Sequence, residues 1–300
     1  AVVSGSGAIL TPSTAAISLT SEESCTSKIA PMQAGQTVLY PFQRSSSYSG
    51  MLELIPSQYT SSQYVSQDAS GHLPEYFSGT VRFTSASNVV NMCAFGGDGN
   101  LKELYIYEYM WSSEGKQQSA WHRWTTALDI AASHFAREQL TVFMYSGGST
   151  YITSIDPREG YDNQTKVNLP YIDLYSTVTV SSGSFTVPTQ LVQAVAAGAE
   201  LVLATSTGTA ITEEVGLNTY SGGATATVVR GVPDGTYWAG VRFNSVFTPS
   251  PPILKDQNDK EIGSGHVRLV RLEAAVRNTG VFTVNVVDPR TDVDSTCDYT

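Results

Sequence analysis

The residue types best suited to chemistry stand together in residues 117–124, where the sequence reads QQSAWHRW. A histidine beside an arginine and two tryptophans is typical of a catalytic site or of a site that stacks on a sugar ring. The same stretch also fits an amphipathic strand, with Trp121 and Arg123 on one face and His122 and Trp124 on the other. We favour the strand, with one tryptophan anchoring a core, because no nucleophile or carboxylate stands at a motif-like spacing from the histidine.

Several carboxylates are candidates for the acid and base of a glycosidase: Glu53, Glu75, Glu103, Glu108 and Asp129. Such a pair must lie within about 5–10 Å in the fold, and the spacing in the sequence does not establish this. Solvated positions at strand edges explain these carboxylates better. The runs at residues 256–259 and 288–298 are rich enough in oxygen ligands for Ca²⁺, but both lack the glycine and terminal glutamate of an EF-hand loop.

Other catalytic and binding motifs are absent from the sequence, which contains no GxSxG, HExxH or P-loop. The glycines at 96, 97 and 99 lie between predicted strands, so they do not form a dinucleotide-binding turn. The three cysteines (Cys25, Cys93 and Cys297) form no CxxC or Cys/His pattern, which argues against a disulfide framework and a zinc site. We therefore predict no catalytic residue, no cofactor and no metal, and we expect that the protein is not an enzyme.

The composition favours a strand-rich protein with a real core. The 300 residues are 41% hydrophobic and only 15% charged, and Ser and Thr are abundant. The net charge of −10 excludes a general phosphate-binding surface, because neutralising a nucleic-acid backbone requires clustered Lys and Arg. The N-terminal ten residues do not resemble a signal peptide, and the longest apolar stretch, residues 191–204, is too short to span a bilayer.

The elements that must position these side chains are mostly strands with an alternating pattern. We predict strands at residues 36–40, 50–55, 89–95, 101–110, 140–145, 149–155, 176–180, 200–205, 224–230, 266–276 and 280–287. Glycine-rich turns at 96–100, 146–148 and 278–280 predict hairpins. Helical patterns are weak and fall at residues 59–73, 128–135 and 189–197. This pattern predicts antiparallel sheets, as in propellers, sandwiches or barrels.

Composition changes divide the chain into three predicted parts. Residues 1–156 form a meandering, propeller-like part, residues 157–255 an inserted or second β domain, and residues 256–300 a returning strand pair with a polar end. The chain lacks an initiator methionine, so we expect a section of a longer protein.

Several segments, in order, resemble the tail nozzle proteins (tail tubular protein B) of T7-like podoviruses. The segments that carry the resemblance are residues 29–40 (IAPMQAGQTVLY), 51–54 (MLEL), 64–73, 89–109, 118–124 (QSAWHRW), 237–249 and 263–287. They are spread over nearly the whole chain, and residues 1–28 and 176–230 match least. The chains of that family are considerably longer, which agrees with a section of a longer protein.

The resemblance implies an all-β, propeller-like platform with inserted sandwich-like β domains. It further implies a homohexameric ring around the channel through which double-stranded DNA leaves the virion, with the tail adaptor (tail tubular protein A) and the tail fibres as partners. Assembly would take place in the host cytoplasm. In such a channel the net negative charge of the chain would have a function. A negatively charged lumen repels DNA and lets the DNA slide without binding to the wall. The alternative is a carbohydrate- or cell-wall-degrading hydrolase of the tail, since exposed aromatic side chains near carboxylates also suit a glycan.

Overall fold

The computed structural model describes residues 2–5, 15–18, 23, 25, 29–56, 64–113, 115–155, 161–162, 167–168, 172–205, 214–244, 246, 282–288 and 293–299. The chain divides into two compact units, residues 1–243 and 244–300. Every sheet in the described residues is antiparallel and only one short helix occurs among them, so the predicted all-β class is confirmed. The propeller-like and sandwich-like arrangements stay predictions, and so do the domain boundaries near residues 156 and 255.

The first unit begins with a two-stranded and a five-stranded sheet. Strands β1 (Val2–Gly5) and β2 (Ala15–Ser18) pair with each other. The five-stranded sheet runs in the order β3-β4-β5-β6, and β7 pairs with β5. Its strands are β3 (Met32–Ala34), β4 (Thr37–Gln43), β5 (Tyr48–Pro56), β6 (Tyr64–Asp68) and β7 (Phe77–Ser78).

Strand β6 corrects one helix prediction. The predicted helix covered residues 59–73, but residues 64–68 form a strand that pairs with β5 on the side opposite β4. Residues 59–63 lie outside the described residues. The adjacent Tyr64 and Val65 favour a strand because aromatic and β-branched side chains suit a pleated surface. The apparent helical spacing also included Ala69 and His72, which belong to the turn after β6.

The central sheet has the order β11-β10-β9-β8. Its strands are β8 (Val81–Ser87), β9 (Met92–Gly97), β10 (Glu103–Ser112) and β11 (Gly115–Thr125). All six residues of β9 are buried because the sheet has a core on each face. Met92 and Ala94 belong to the larger core, whereas Cys93 and Phe95 belong to an aromatic core shared with the five-stranded sheet.

The third sheet has the order β12-β13-β14, with strands β12 (Asp129–Ala136), β13 (Gln139–Ser146) and β14 (Ser149–Ile155). The predicted helix at residues 128–135 is therefore wrong. A bulge shifts the register between Ile130 and Ala132. The buried positions Ile130 and Ser133 thus stand three residues apart, a spacing that imitates a helix. The predicted hairpin at residues 146–148 is confirmed, and Gly147 and Gly148 supply its positive φ angles of 56° and 77°.

The rest of the first unit contains further strands and a helix, some of which contribute to the larger core. Its elements are β15 (Tyr161–Asp162), β16 (Val167–Asn168), β17 (Asp173–Val180), β18 (Ser184–Thr186), α1 (Thr189–Ala196), β19 (Leu201–Thr205), β20 (Glu214–Val215), β21 (Thr225–Thr227) and β22 (Gly235–Val241). Those that contribute to the larger core are β17, β18, α1, β19, β21 and β22. One sheet has the order β17-β22-β19-β20, and two-stranded sheets pair β15 with β16 and β18 with β21. The helix predicted at residues 189–197 is confirmed as α1, which buries Leu191 and Ala194.

The second unit is described only in part. Strands β23 (Phe282–Asp288) and β24 (Val293–Tyr299) pair as a hairpin. The predicted strand at 280–287 is thus confirmed, and β24 lies in the stretch that we expected to be only a polar end. The predicted partner strand at residues 266–276 and the acidic run at 256–259 lie outside the described residues.

Candidate functional site on the β10–β11 hairpin

The hairpin of β10 and β11 carries the cluster of candidate residues and distributes it over both faces of the central sheet. Trp121 lies opposite Tyr107 and Arg123 opposite Tyr105, whereas His122 lies opposite Ile106. Directly opposed residues share a face of an antiparallel sheet, so the predicted amphipathic strand is confirmed. The cluster does not converge on one point.

Trp121 belongs to the aromatic core. Its ring centroid lies 4.5 Å from that of Tyr107, 4.8 Å from that of Phe77 and 5.9 Å from that of Phe95. The indole Nε1–H donates a hydrogen bond of 3.0 Å to the carbonyl oxygen of Ala69. The ring therefore serves packing, and its polar edge anchors the turn after β6.

The two charged side chains beside Trp121 have separate carboxylate partners. His122 Nε2 lies 3.2 Å from Glu108 Oε2, and both side chains are nearly half exposed. Arg123 lies 3.5 Å from Glu103, and its guanidinium carbon sits 5.4 Å from the ring centroid of Tyr76. These contacts form two cross-strand pairs on opposite faces, an arrangement that stabilises a hairpin.

The polar centre of this region is Glu53, which β5 places in the aromatic core. Its side chain is only 3% exposed and accepts hydrogen bonds from Lys116 Nζ and, at 2.6 Å, from Thr37 Oγ1. Lys116 Nζ also donates to Tyr107 Oη at 2.9 Å. The prediction of a solvated edge position is therefore wrong for Glu53, because its side chain shares the inward face of β5 with the fully buried Met51.

The surroundings of Lys116 favour its charged form. Burial acts to lower the pKa of Lys116, but the hydrogen bonds to Glu53 and Tyr107 outweigh burial and hold that pKa above its usual value. The ammonium group thus stays charged at neutral pH. A buried carboxylate paired with a partly exposed ammonium group stabilises a defined geometry and is poorly suited to proton transfer with a substrate.

The other candidate carboxylates do not form an open pair either. Glu103 accepts a hydrogen bond from the Tyr105 hydroxyl. Burial first, and then this hydrogen bond, raise the pKa of Tyr105 far above its usual value, so the phenol stays protonated. Glu75 is exposed, and Asp129 is half-buried at the start of β12.

Cys93 is the buried thiol of this region and is not activated. It is fully buried in β9, and its Sγ contacts the carbonyl oxygen of Gln33 at 3.8 Å. Burial, with a smaller effect of the charge on Glu53, raises the pKa of the thiol to about 12. A thiol with that pKa is not a nucleophile at neutral pH.

Sequence reasoning missed the partners that complete these contacts, above all Lys116 and Thr37. A signal existed, because a glutamate inside the apolar run of residues 51–55 requires a polar or charged partner when its side chain is buried. A second missed pair joins Arg44 to Asp68 at 2.7 Å and ties the turn before β5 to the end of β6.

In the part of the chain that the structure describes, no group of three or more His, Cys, Asp and Glu side chains could hold a metal ion. No helix among the same residues is long and apolar enough to cross a membrane.

Comparison with known proteins assigns the chain to a family. The family described as bacteriophage nozzle protein matches residues 1–300. The tail tubular protein gp12 of Escherichia phage T7 is 21% identical over 187 residues, which cover 61% of this chain and 23% of that longer protein. The chain therefore belongs to the bacteriophage nozzle protein family, whose members are structural proteins of the phage tail.

Proposed function

We propose that this chain is a rigid section of a tail nozzle subunit, without enzymatic activity, and that copies of the subunit close into a ring around the channel for the viral DNA. The observation that carries the proposal is the family match over residues 1–300. The similarity to a T7 tail tubular protein, although it covers only 23% of that protein, points in the same direction.

The contacts of the hairpin support a structural role. Its aromatic and charged side chains are engaged with the chain itself: Trp121 packs in a core, and Lys116 pairs with Glu53 of β5. A sugar-binding platform requires an exposed aromatic face, and a glycosidase requires two open carboxylates. Among the described residues, no observation favours the hydrolase alternative.

The charge of the chain suits a wall along which DNA passes. The net charge of −10 opposes tight binding to a polyanion. Acidic side chains such as Glu200 and Glu214 are 65% and 51% exposed, and a single Arg242 lies between them. In the proposal, repulsion keeps the DNA mobile in the channel.

The finer parts of the proposal concern assembly. The ring is a homohexamer that forms in the host cytoplasm and contacts the tail adaptor and the tail fibres. The chain is organised as a part formed by residues 1–156, an inserted or second domain at 157–255 and a returning pair at 256–300. Limited proteolysis followed by mass spectrometry tests these boundaries, and cuts elsewhere would refute them.

The decisive experiment locates the protein in the virion. Electron microscopy of particles labelled on this protein should show the label at the tip of the tail, and a label elsewhere would overturn the proposal. Size-exclusion chromatography with light scattering should give a ring, and purified cell wall should stay turbid in its presence. A lytic monomer would instead support the hydrolase.

A further inference from the structure

The outer edge of β11 offers main-chain groups that no other described strand uses. Tyr109 N–H donates to Asn91 O on the β9 side, and Thr126 N–H donates to Lys102 O. Hydrogen-bonded and non-hydrogen-bonded pairs alternate in an antiparallel ladder. In β11, the N–H and C=O groups of Ser119, Trp121, Arg123 and Thr125 therefore point away from β10 toward the open edge.

This edge lacks the features that normally prevent strands from pairing with other chains. Residues 115–125 contain no proline. The two cations of the strand are turned to carboxylates of the chain itself, Lys116 to Glu53 and Arg123 to Glu103. The one bulge of the β10–β11 ladder lies between Met110 and Trp111, at the end of the ladder next to the hairpin turn.

A second open edge of the same kind exists on β14. The tight turn closes with the pair Ser146 and Ser149, which is hydrogen-bonded in a two-residue hairpin. Alternation then directs the N–H and C=O groups of Thr150, Ile152 and Ser154 outward. This strand carries neither a charge nor a proline, and Ile152 is 69% exposed.

The other sheet edges of the described part of the first unit are less suitable. Strand β8 is covered, because Ser85 hydrogen-bonds Ser133 and Ser87 hydrogen-bonds the carbonyl of Arg137 on the β12 side. The same contacts cover β12, the other edge strand of the third sheet. Strand β17 is interrupted by a bulge between Asp173 and Ser176. The remaining edge strands are five residues long or shorter: β1, β2, β3, β6, β7, β15, β16, β18, β20 and β21.

We propose that β11 of one copy of the chain pairs with β14 of the next copy, so that the two open edges join into a continuous sheet across the subunit contact. This inference rests on the proposed ring and specifies its contact. Two different surfaces meet in such a contact, and contacts of that type generate a ring when the rotation from copy to copy closes, whereas the pairing of β11 with itself would stop at a dimer. Main-chain hydrogen bonds supply the affinity, as in other cases of strand addition.

Proline variants test the pairing in the full-length protein. Ser119→Pro and Ile152→Pro each remove one outward-facing N–H but no hydrogen bond inside the subunit. The matched controls Ser119→Ala and Ile152→Val keep the main chain intact. Circular dichroism and thermal unfolding establish that each variant is folded, and Ile152→Lys, which adds a charge to the edge, replaces Ile152→Pro if that variant does not fold.

Light scattering should show that each proline variant loses the ring and becomes a monomer, whereas both controls assemble like the wild type. An equimolar mixture of the two proline variants should form a dimer and nothing larger. The reason is that one intact β14 in the Ser119→Pro copy still meets one intact β11 in the Ile152→Pro copy.

Assembly of either proline variant at wild-type level would overturn the pairing, and so would a mixture that stays monomeric. Both results leave the proposed ring intact if the wild type still assembles. A wild-type protein that forms no ring and is absent from the tail tip would overturn the proposed function itself.

Discussion

Lys116 donates a hydrogen bond to the buried carboxylate of Glu53 and thereby joins two strands that are 63 positions apart in the sequence. Lys116 stands just after the turn of the β10–β11 hairpin, and Glu53 lies in the middle of β5. The carboxylate is 3% exposed and the ammonium side chain 26% exposed. The hairpin is therefore fixed to the five-stranded sheet by a pair that cannot be broken without leaving a charge in the core.

We expect Lys116→Met to lower the free energy of unfolding by about 2 to 4 kcal/mol, because it leaves the Glu53 carboxylate buried without its cation. The double variant Lys116→Met with Glu53→Gln should recover part of this loss, since the unpaired charge is then removed. Urea unfolding of the two single variants and the double variant measures the coupling.

Arg242 provides the matched control for this prediction. It contacts Glu200 at 3.1 Å and Glu214 at 2.8 Å, but its side chain is 45% exposed. Arg242→Met should cost less than about 1 kcal/mol, and added salt should reduce that cost further. Equal losses for Lys116→Met and Arg242→Met would show that burial does not determine the strength of these pairs.

Asp173 makes stability depend on pH. Burial raises the pKa of its carboxyl from 3.8 to about 6, so the folded chain holds this proton more tightly than the unfolded chain does. The contribution of Asp173 to stability therefore falls as the pH rises from about 4 to about 6, and its full penalty remains at neutral pH.

We expect Asp173→Asn to stabilise the protein by about 2 kcal/mol at pH 7 and to have little effect at about pH 4. Chemical unfolding at the two pH values measures the difference. A gain of the same size at both values would mean that the carboxyl does not titrate in this range.

We expect the substitution of tryptophan by phenylalanine to have opposite effects on stability at Trp121 and at Trp111. Trp121→Phe should cost about 1 kcal/mol or more, because it removes the donor to Ala69 O. Trp111 packs its indole against Gly35, but its buried Nε1–H has no hydrogen-bond partner among the described residues. Trp111→Phe should therefore be neutral or stabilising. Thermal unfolding of both variants decides, and a larger loss for Trp111→Phe would contradict the assignment of the donors.

The protein should not retain double-stranded DNA in a gel-shift experiment at about 50 mM salt, because its net charge is −10. Replacing the exposed acids Glu75, Glu200 and Glu214 with lysine should produce binding that weakens steeply with salt. Glutamine at the same positions is the control and should produce much less. Tight binding by the wild type would refute the proposed repulsion.

The local pattern of the sequence was sufficient to predict most strands. Residues 149–155 begin directly after a Gly-Gly turn and are rich in aromatic and β-branched side chains, and β14 has these bounds. An alternating pattern is present in β24, where Val293, Ser295, Cys297 and Tyr299 alternate with acidic and polar residues. The polar composition of this stretch favours a loop, although the order of its residues is that of a strand.

The errors arose where the tertiary structure outweighs the local pattern. The bulge after Ile130 breaks the two-residue period of the strand. The position of such a bulge cannot be located without knowing the partner strand. The Glu53–Lys116 pair depends on how the hairpin packs on the five-stranded sheet, and no local spacing encodes that. The open edges of β11 and β14 likewise require the strand order, which only the structure supplies.

Strand β9 has a mechanical consequence. It is hydrogen-bonded on both sides, and its alternate residues are locked into two different cores. A lateral force on either core is therefore transmitted to the other core through this one strand. The main-chain hydrogen bonds of β9 with β8 and β10 resist that force in shear. In the proposed ring, we expect β9 to keep the two cores on either side of it from separating.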